Sequence, residues 1–190
     1  MLAEISKDVS PIFTLPEDLL WRIFMENTFI GPDYLHTEEL HSPLITARRC
    51  SQVCRHWRAT YLSSSSMRAK VVDVTELQQQ KENWRKEVFA RTGEALLWVY
   101  GYVLRDNQPN FPLVFLKENW KRVQLLSITY SVLSMQQVRR QKMWAFLKEH
   151  APELRRLKIS IPELQHQVLP SCLFADDAPQ LERFDVLSTP

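Results

Sequence analysis

Glycine is scarce. The chain has 3 glycines in 190 residues, Gly31, Gly93 and Gly101, where a usual share would give ~13. They stand far apart, so neither G-x-G-x-x-G nor a Walker-type loop can be built, and phosphate-cradling turns of those kinds are excluded. A Gly-x-Ser-x-Gly nucleophile elbow is equally impossible, and no His-Glu-x-x-His occurs. Cysteine is limited to Cys50, Cys54 and Cys172, an odd set that cannot pair completely and fits a reduced cytoplasmic or nuclear setting. No uncharged apolar run approaches the ~18–20 residues of a membrane span. The N-terminal segment MLAEISKDVS has neither the basic start nor the apolar stretch of a signal peptide. Charge of one sign is not in excess either: 24 Lys+Arg against 22 Asp+Glu leave a formal +2, without the clustered basic surplus of a nucleic-acid domain.

What is present is apolar and aromatic: 6 tryptophans, 9 phenylalanines and 5 tyrosines, within a hydrophobic content of 45%. A chain of this length can bury ~70% of the surface its unfolded form exposes, so a real core is expected in one domain, or in a small module plus part of a second. The first ordered signal is Thr14-Leu15-Pro16-Glu17-Asp18-Leu19-Leu20-Trp21-Arg22-Ile23-Phe24. Thr14 with Glu17 has the spacing of a capping box, Pro16 suits a first turn, and Glu17 and Asp18 favour the positive end of a helix dipole. Leu19, Leu20, Ile23 and Phe24 then predict a short amphipathic helix. After a stretch without periodicity, in which Gly31 marks a turn, a second helix is expected from Ser42-Pro43. Ala47, Cys50, Cys54, Trp57 and Tyr61 recur on one stripe, and Ser63–Ser66 reads as a linker.

Two of these segments together resemble the F-box family, in the form found in mushroom-type fungi. The carrying residues are Leu15-Pro16-Glu17-Asp18-Leu19-Leu20-x-x-Ile23-Phe24 and Pro43-Leu44 leading to Cys50-Ser51-Gln52-Val53-Cys54-Arg55-His56-Trp57-Arg58. The likeness covers about residues 14–62. The connector from Phe24 to Pro43 is longer than the compact family pattern, and Met67-Arg68-Ala69-Lys70 replaces the usual Leu-Trp. The resemblance implies docking on the Skp adaptor of a Skp-cullin-F-box ubiquitin ligase through Leu15, Pro16, Leu19, Ile23, Phe24, Pro43, Leu44, Val53, Cys54 and Trp57. Ubiquitin transfer would then be carried out by partner proteins, with proximity as this chain's contribution.

The second half carries a repeat. Val123-x-x-Leu126-x-Ile128, Leu154-x-x-Leu157-x-Ile159 and Leu181-x-x-Phe184-x-Val186 share one template, and Ala95-x-x-Trp98-x-Tyr100 is a fainter copy. Such a period suits leucine-rich-repeat-like units of one strand and one helix each. The implied architecture is α/β: an all-α F-box-like module followed by a short, irregular strand-helix solenoid with a mainly parallel sheet. Helices are expected over 75–92, stopping at Gly93; from Ser134 to about His150; and over 111–120. Trp84 and Trp144 are expected to cover the sheet, and Gly101 to occupy a strand or bulge. The domain reading is a tail over 1–13, the helical module over 14–62, a linker over 63–70 and the repeat region over 71–190, incomplete at its C-terminal end. Alternation places Ser127, Thr129, Lys158, Ser160 and Asp185 on the strand face that would meet a protein substrate.

Other chemistries find little support. Cys50 and Cys54 lie inside a helical stripe and no compact second pair follows, which argues against zinc; side chains one helical turn apart also suit a disulfide poorly. Arg48, Arg49, Arg55, His56 and Arg58 could touch phosphate but read first as a solvated helix face, which disfavours nucleic acid. The acid pairs Glu38-Glu39 and Asp176-Asp177 are loop-like, and His150 and His166 stand alone, so no catalytic constellation, metal or cofactor is expected. Two alternatives to the ligase adaptor remain: an interaction module whose helix pair merely caps the solenoid, and nucleic-acid binding through the arginine-rich helix.

Overall fold

The structure, a computed structural model, describes residues 14–28, 42–103, 111–130, 145–162 and 172–189. The apolar template becomes a ladder of five strands: β1 Val72–Asp73, β2 Leu97–Val103, β3 Val123–Tyr130, β4 Arg156–Pro162 and β5 Arg183–Thr189. All neighbours are parallel and follow chain order, β1-β2-β3-β4-β5. Val72, Val99, Leu126, Leu157 and Phe184 form one rung, at steps of 27, 27, 31 and 27 residues. Ile128, Ile159 and Val186 form the next.

Parallel neighbours need a crossover, and the crossovers supply the second layer. The N-terminal helices are α1 Glu17–Thr28, α2 Pro43–Cys50, α3 Arg55–Ser63 and α4 Ser65–Ala69; α5 Val74–Gln78 and α6 Glu82–Ala90 link β1 to β2, and α7 Phe111–Asn119 with a 3-10 turn at Trp120–Arg122 precedes β3. Leu77, Phe115, Leu116, Trp120, Phe146 and Leu147 bury their side chains with Leu97, Leu126 and Leu157 in one core. Rings join successive crossovers to one another, and the last of them to β5. Phe89 stacks on Phe115 at 4.3 Å between centroids, Trp120 meets Phe146 edge-on at 5.0 Å, and Phe174 meets Phe184 edge-on at 6.0 Å. At ~0.5–1.5 kcal/mol per pair beyond area burial, these aromatics do work that a more regular repeat gives to leucine. Arg122 ties the turn after α6 to the start of β3: it donates to Thr92 Oγ1 at 2.9 Å, to Asn119 Oδ1 at 3.0 Å, to the Ala95 carbonyl at 3.3 Å and to the Gly93 carbonyl.

A smaller core holds the N-terminal helices together. Leu20 and Phe24 of α1 pack with Ala47, Trp57, Tyr61, Met67 and Val71, and the Phe24 ring lies 5.7 Å from Trp57 and 5.4 Å from Tyr61. α1 opens later than a capping box at Thr14 would place it, with the Pro16 carbonyl accepting the Leu20 N–H at 3.0 Å. The expected single helix from Pro43 is two. The Ser51 hydroxyl donates back to the Arg48 carbonyl at 2.7 Å, competing with helix continuation, and Cys54 is extended at φ −157°, ψ 173° and caps α3. Ser63–Ser66 is a helix junction rather than a linker: Ser64 Oγ accepts the Met67 N–H at 3.3 Å and caps α4. The helix expected over 75–92 breaks between Gln79 and Lys81, so Leu77 is buried while Trp84 stays 40% exposed and does not cover the sheet.

The sheet also departs from expectation in two places. β1 lies outside the repeat template, and Val99, not Trp98, pairs with Leu126, with a register irregularity between Leu97 and Trp98. The faint copy is therefore one residue out, and Gly101 rather than Tyr100 lies beside Ile128. α7 forms where expected, and Gly93 follows α6 at φ +51°, as a helix stop requires. Of the helix expected from Ser134 to His150, only the end, with residues 145–147 helical, falls in the described residues; Gly31, Trp144 and His166 lie outside them.

Candidate docking surface

The Leu-Pro segment at the start of α1 is anchored from a distance. The His56 ring bonds through Nε2 to the Leu15 carbonyl at 3.0 Å, which brings Leu15 beside the turn that carries Val53 and Cys54. α1 then divides its apolar residues between two sides. Leu20 and Phe24 are buried, whereas Leu19 is 40% exposed and Leu15 and Ile23 are half-buried. Val53 is 51% exposed in the turn before α3. Its exposure follows from the broken helix: Val53 N–H reaches the Cys50 carbonyl at 3.2 Å, and Cys54 Sγ accepts the Trp57 N–H at 3.5 Å.

The ten residues singled out for docking are thus not equivalent. Leu15, Pro16, Leu19, Ile23 and Val53 have surface to offer, and Leu44 and Cys54 are half-buried. Phe24, Pro43 and Trp57 are buried: Phe24 is 2% and Trp57 6% exposed. A three-helix unit this small needs its largest rings for its own core, so these three hold the surface in place instead of forming it. Cys50 is half-buried and burial pushes its thiol pKa up, the behaviour of an inert packing cysteine. Among the described residues no group of His, Cys, Asp and Glu could hold a metal ion.

On the sheet, the residues expected to meet a substrate do share a face. Asp73, Tyr100, Ser127, Lys158 and Asp185 form one row, and Tyr102, Thr129, Ser160 and Leu187 the next. The face is only partly open to solvent. Lys158 is 8% and Ser160 1% exposed, and Ser127, Thr129 and Asp185 are half-buried. Tyr100 Oη, Thr129 Oγ1 and Ser160 Oγ are buried without a partner among the described residues. Asp185 is engaged by Arg183 at 2.5 Å.

Sequence reasoning missed the bridge between the two parts. Lys70 Nζ lies 4.7 Å from the Trp21 ring centroid and 4.6 Å from that of Trp98, a cation between two aromatic faces that joins α1 to the second face of β2. Trp98 Nε1 donates to Gln124 Oε1 at 2.8 Å. No spacing rule relates positions 21, 70 and 98, so only the fold brings them together. No helix of the described residues is long and apolar enough to cross a membrane. No protein-family model, curated protein or solved structure matches the chain.

Proposed function

We propose that the protein is a substrate-recognition adaptor of a Skp-cullin-F-box type ubiquitin ligase, with an F-box-like module over α1–α3 and a leucine-rich-repeat-like region from β1 onward. The observation that carries this reading is an apolar set in which Pro16, Leu19 and Val53 are exposed and Leu15 and Ile23 half-buried, on the same segments that resemble the family. Leucine at 40% and valine at 51% exposure in well-formed local structure are the kind of side chains a partner surface buries. The chain binds the Skp adaptor through that set and, through it, a cullin. A protein substrate meets the repeat region on the parts of the second sheet face that remain accessible, around Ser127, Thr129 and Asp185. The chain performs no chemistry in this scheme.

Co-expression with a Skp adaptor tests the reading. The wild-type chain should co-elute with the adaptor, and a Leu15→Ala/Pro16→Ala variant should not. Failure of the wild type to co-elute would remove the ligase role. One observation favours a second reading, in which the helices cap the sheet: Leu44 packs against both hydrophobic cores. A cap leaves Leu19 and Val53 without a partner, so a folded chain that ignores the adaptor would favour it.

A further inference from the structure

The sheet is closed at one edge and open at the other. Along the core-facing rung Val72, Val99, Leu126 and Leu157 are at most 1% exposed, whereas Phe184 of β5 is half-buried. The next rung repeats the step: Ile128 and Ile159 are 1% exposed and Val186 is half-buried. Val72 also stands on an edge strand, but the N-terminal helices cover it, with α2 in contact with β1 and Leu44 packed against both cores. Among the described residues no strand pairs with the outer side of β5. The last unit of a stacked-repeat sheet needs something over its apolar end, and a bare edge seven residues long is a template for another strand.

The backbone of β5 fixes which groups meet such a strand. Arg183 N–H donates to the Arg155 carbonyl at 3.0 Å, toward β4. Peptide groups alternate between the two sides of a strand, so Phe184 and Val186 turn their N–H and C=O outward. The side chains then select the occupant. Arg183, Asp185 and Leu187 share the sheet face opposite to Phe184 and Val186, and Leu187 is 37% exposed. In an antiparallel pairing with a second β5 centred on Phe184, Arg183 lies opposite the partner's Asp185, twice by symmetry, and Leu187 lies opposite the partner's Leu181. Centring on Asp185 instead sets two carboxylates face to face, and centring on Val186 leaves Arg183 opposite the partner's Thr189. Opposite charges across a strand pair stabilise it and like charges directly opposite destabilise it, so the charges favour the first register. Arg183 holds Asp185 of its own strand through Nε at 2.5 Å, and the Nη groups of the same fork supply further donors for the partner's carboxylate. Arg155 and Arg156, behind Arg183 at the start of β4, are met within their own copy by Glu182 at 3.6 and 3.8 Å.

We propose that β5 pairs with β5 of a second copy of this chain, antiparallel and about a twofold axis at Phe184, and so joins two five-stranded sheets into one. Residues opposite each other in this pairing share a face, so the helical layers of both copies lie on the same side and the half-buried Phe184 of each is covered by the other's. The other edge of each sheet is occupied by the N-terminal helices. The contact is therefore isologous and closes at two copies instead of growing into a filament.

The test is sedimentation equilibrium of the full chain over a range of concentrations, combined with hydrogen exchange at the Phe184 and Val186 amides. The wild type should reach twice the 22.5 kDa of one chain and protect both amides. Arg183→Asp should weaken the dimer at least ~10-fold and expose the amides, since the like charges it creates act twice across the axis. Arg183→Asp/Asp185→Arg should restore the association, because the cross-strand pair re-forms with its signs exchanged. Leu187→Lys, at an exposed position, should weaken the dimer as well, and circular dichroism should stay unchanged in all three variants. A wild-type chain that remains monomeric at every concentration would overturn the proposal; slow exchange of the two amides in that monomer would assign the edge to a segment of the same chain. A dimer indifferent to both Arg183→Asp and Leu187→Lys, a double reversal that fails to restore it, or assembly beyond two copies would overturn it equally.

Discussion

Replacing Gly101 by alanine should damage the sheet out of proportion to one added methyl group. Gly101 lies in β2 at φ +132°, and a Cβ there would stand 2.5 Å from Thr75 Oγ1 and 2.9 Å from both Asp73 Oδ1 and the Thr75 nitrogen. Those atoms form the junction between the first two strands: Asp73 Oδ1 accepts the Thr75 N–H at 2.8 Å, and Thr75 Oγ1 accepts the Tyr102 N–H at 2.7 Å. Alanine must open the junction. Backbone strain contributes ~1–3 kcal/mol, and losing one or two of the bonds adds ~1 kcal/mol each. The sum, ~2–5 kcal/mol, is a large part of the ~5–15 kcal/mol that holds a domain folded. Gly93 supplies the control, because it also has positive φ, at +51°, yet a Cβ there meets only Ser65 Cβ at 3.7 Å. Gly93→Ala should therefore cost only the left-handed penalty of ~1–2 kcal/mol. Urea unfolding followed by tryptophan fluorescence measures both. Thr75→Ala should add less in the Gly101→Ala background than in the wild type, since the two changes disturb the same contact. Equal costs for the two glycine variants, or additive effects with Thr75→Ala, would refute the reasoning.

Three further outcomes follow from the same structure. Ala175 sits at φ 51°, ψ 33° between Phe174 and Asp176, which also have positive φ; Ala175→Gly should stabilise by ~0.5–1 kcal/mol, the left-handed penalty less the entropy cost of glycine, and a lower unfolding midpoint would contradict this. Arg122→Ala should cost ~2–3 kcal/mol by stranding its acceptors at Thr92, Gly93 and Ala95, and Arg122→Lys, which lacks the fork, should recover less than half of that in the same urea assay. Burial raises the phenol pKa of Tyr61 to about 12 from an ordinary 10.0, and raises Tyr100 and Tyr130 as well. Because the folded values lie above the unfolded ones, this stabilisation is complete below pH 10 and is lost as pH rises toward 12. Phenolate absorbance should then show these tyrosines ionising together with unfolding, and independent titration in the folded chain would count against their burial.

The sequence was most legible where burial imposes a period. Leu126, Leu157 and Phe184 were aligned by template and lie side by side in the sheet, because each must reach the same core from an equivalent place in its unit. The first unit carries little sequence signal, because β1 has two residues and its apolar positions Ala69, Val72 and Val74 begin within α4. In β2 the large rings of Trp98 and Tyr100 drew the template one residue away from Val99 and Gly101. Helix breaks at Ser51–Cys54 and Gln79–Lys81 leave the apolar spacing intact, so periodicity could not reveal them; caps and back-bonding serines could. In the candidate docking face, the positions were legible but their division was not. Phe24 and Trp57 read like Leu19 and Val53 along the chain, and only packing sends the first two inward. The burial of Lys158 and Ser160 likewise depends on what covers the second face of the sheet, which strand alternation does not encode.

The adaptor reading is tested most directly by isothermal titration of the purified chain with a Skp adaptor, alongside Leu19→Asp and Val53→Asp. Both residues are exposed, so the variants should keep the wild-type urea midpoint. Burying a carboxylate where an apolar contact stood costs several kcal/mol, which corresponds to a loss of at least ~100-fold in affinity. The account predicts a one-to-one complex for the wild type and no measurable heat for either variant. A wild-type chain that gives no complex, or variants that bind as tightly as the wild type, would contradict it.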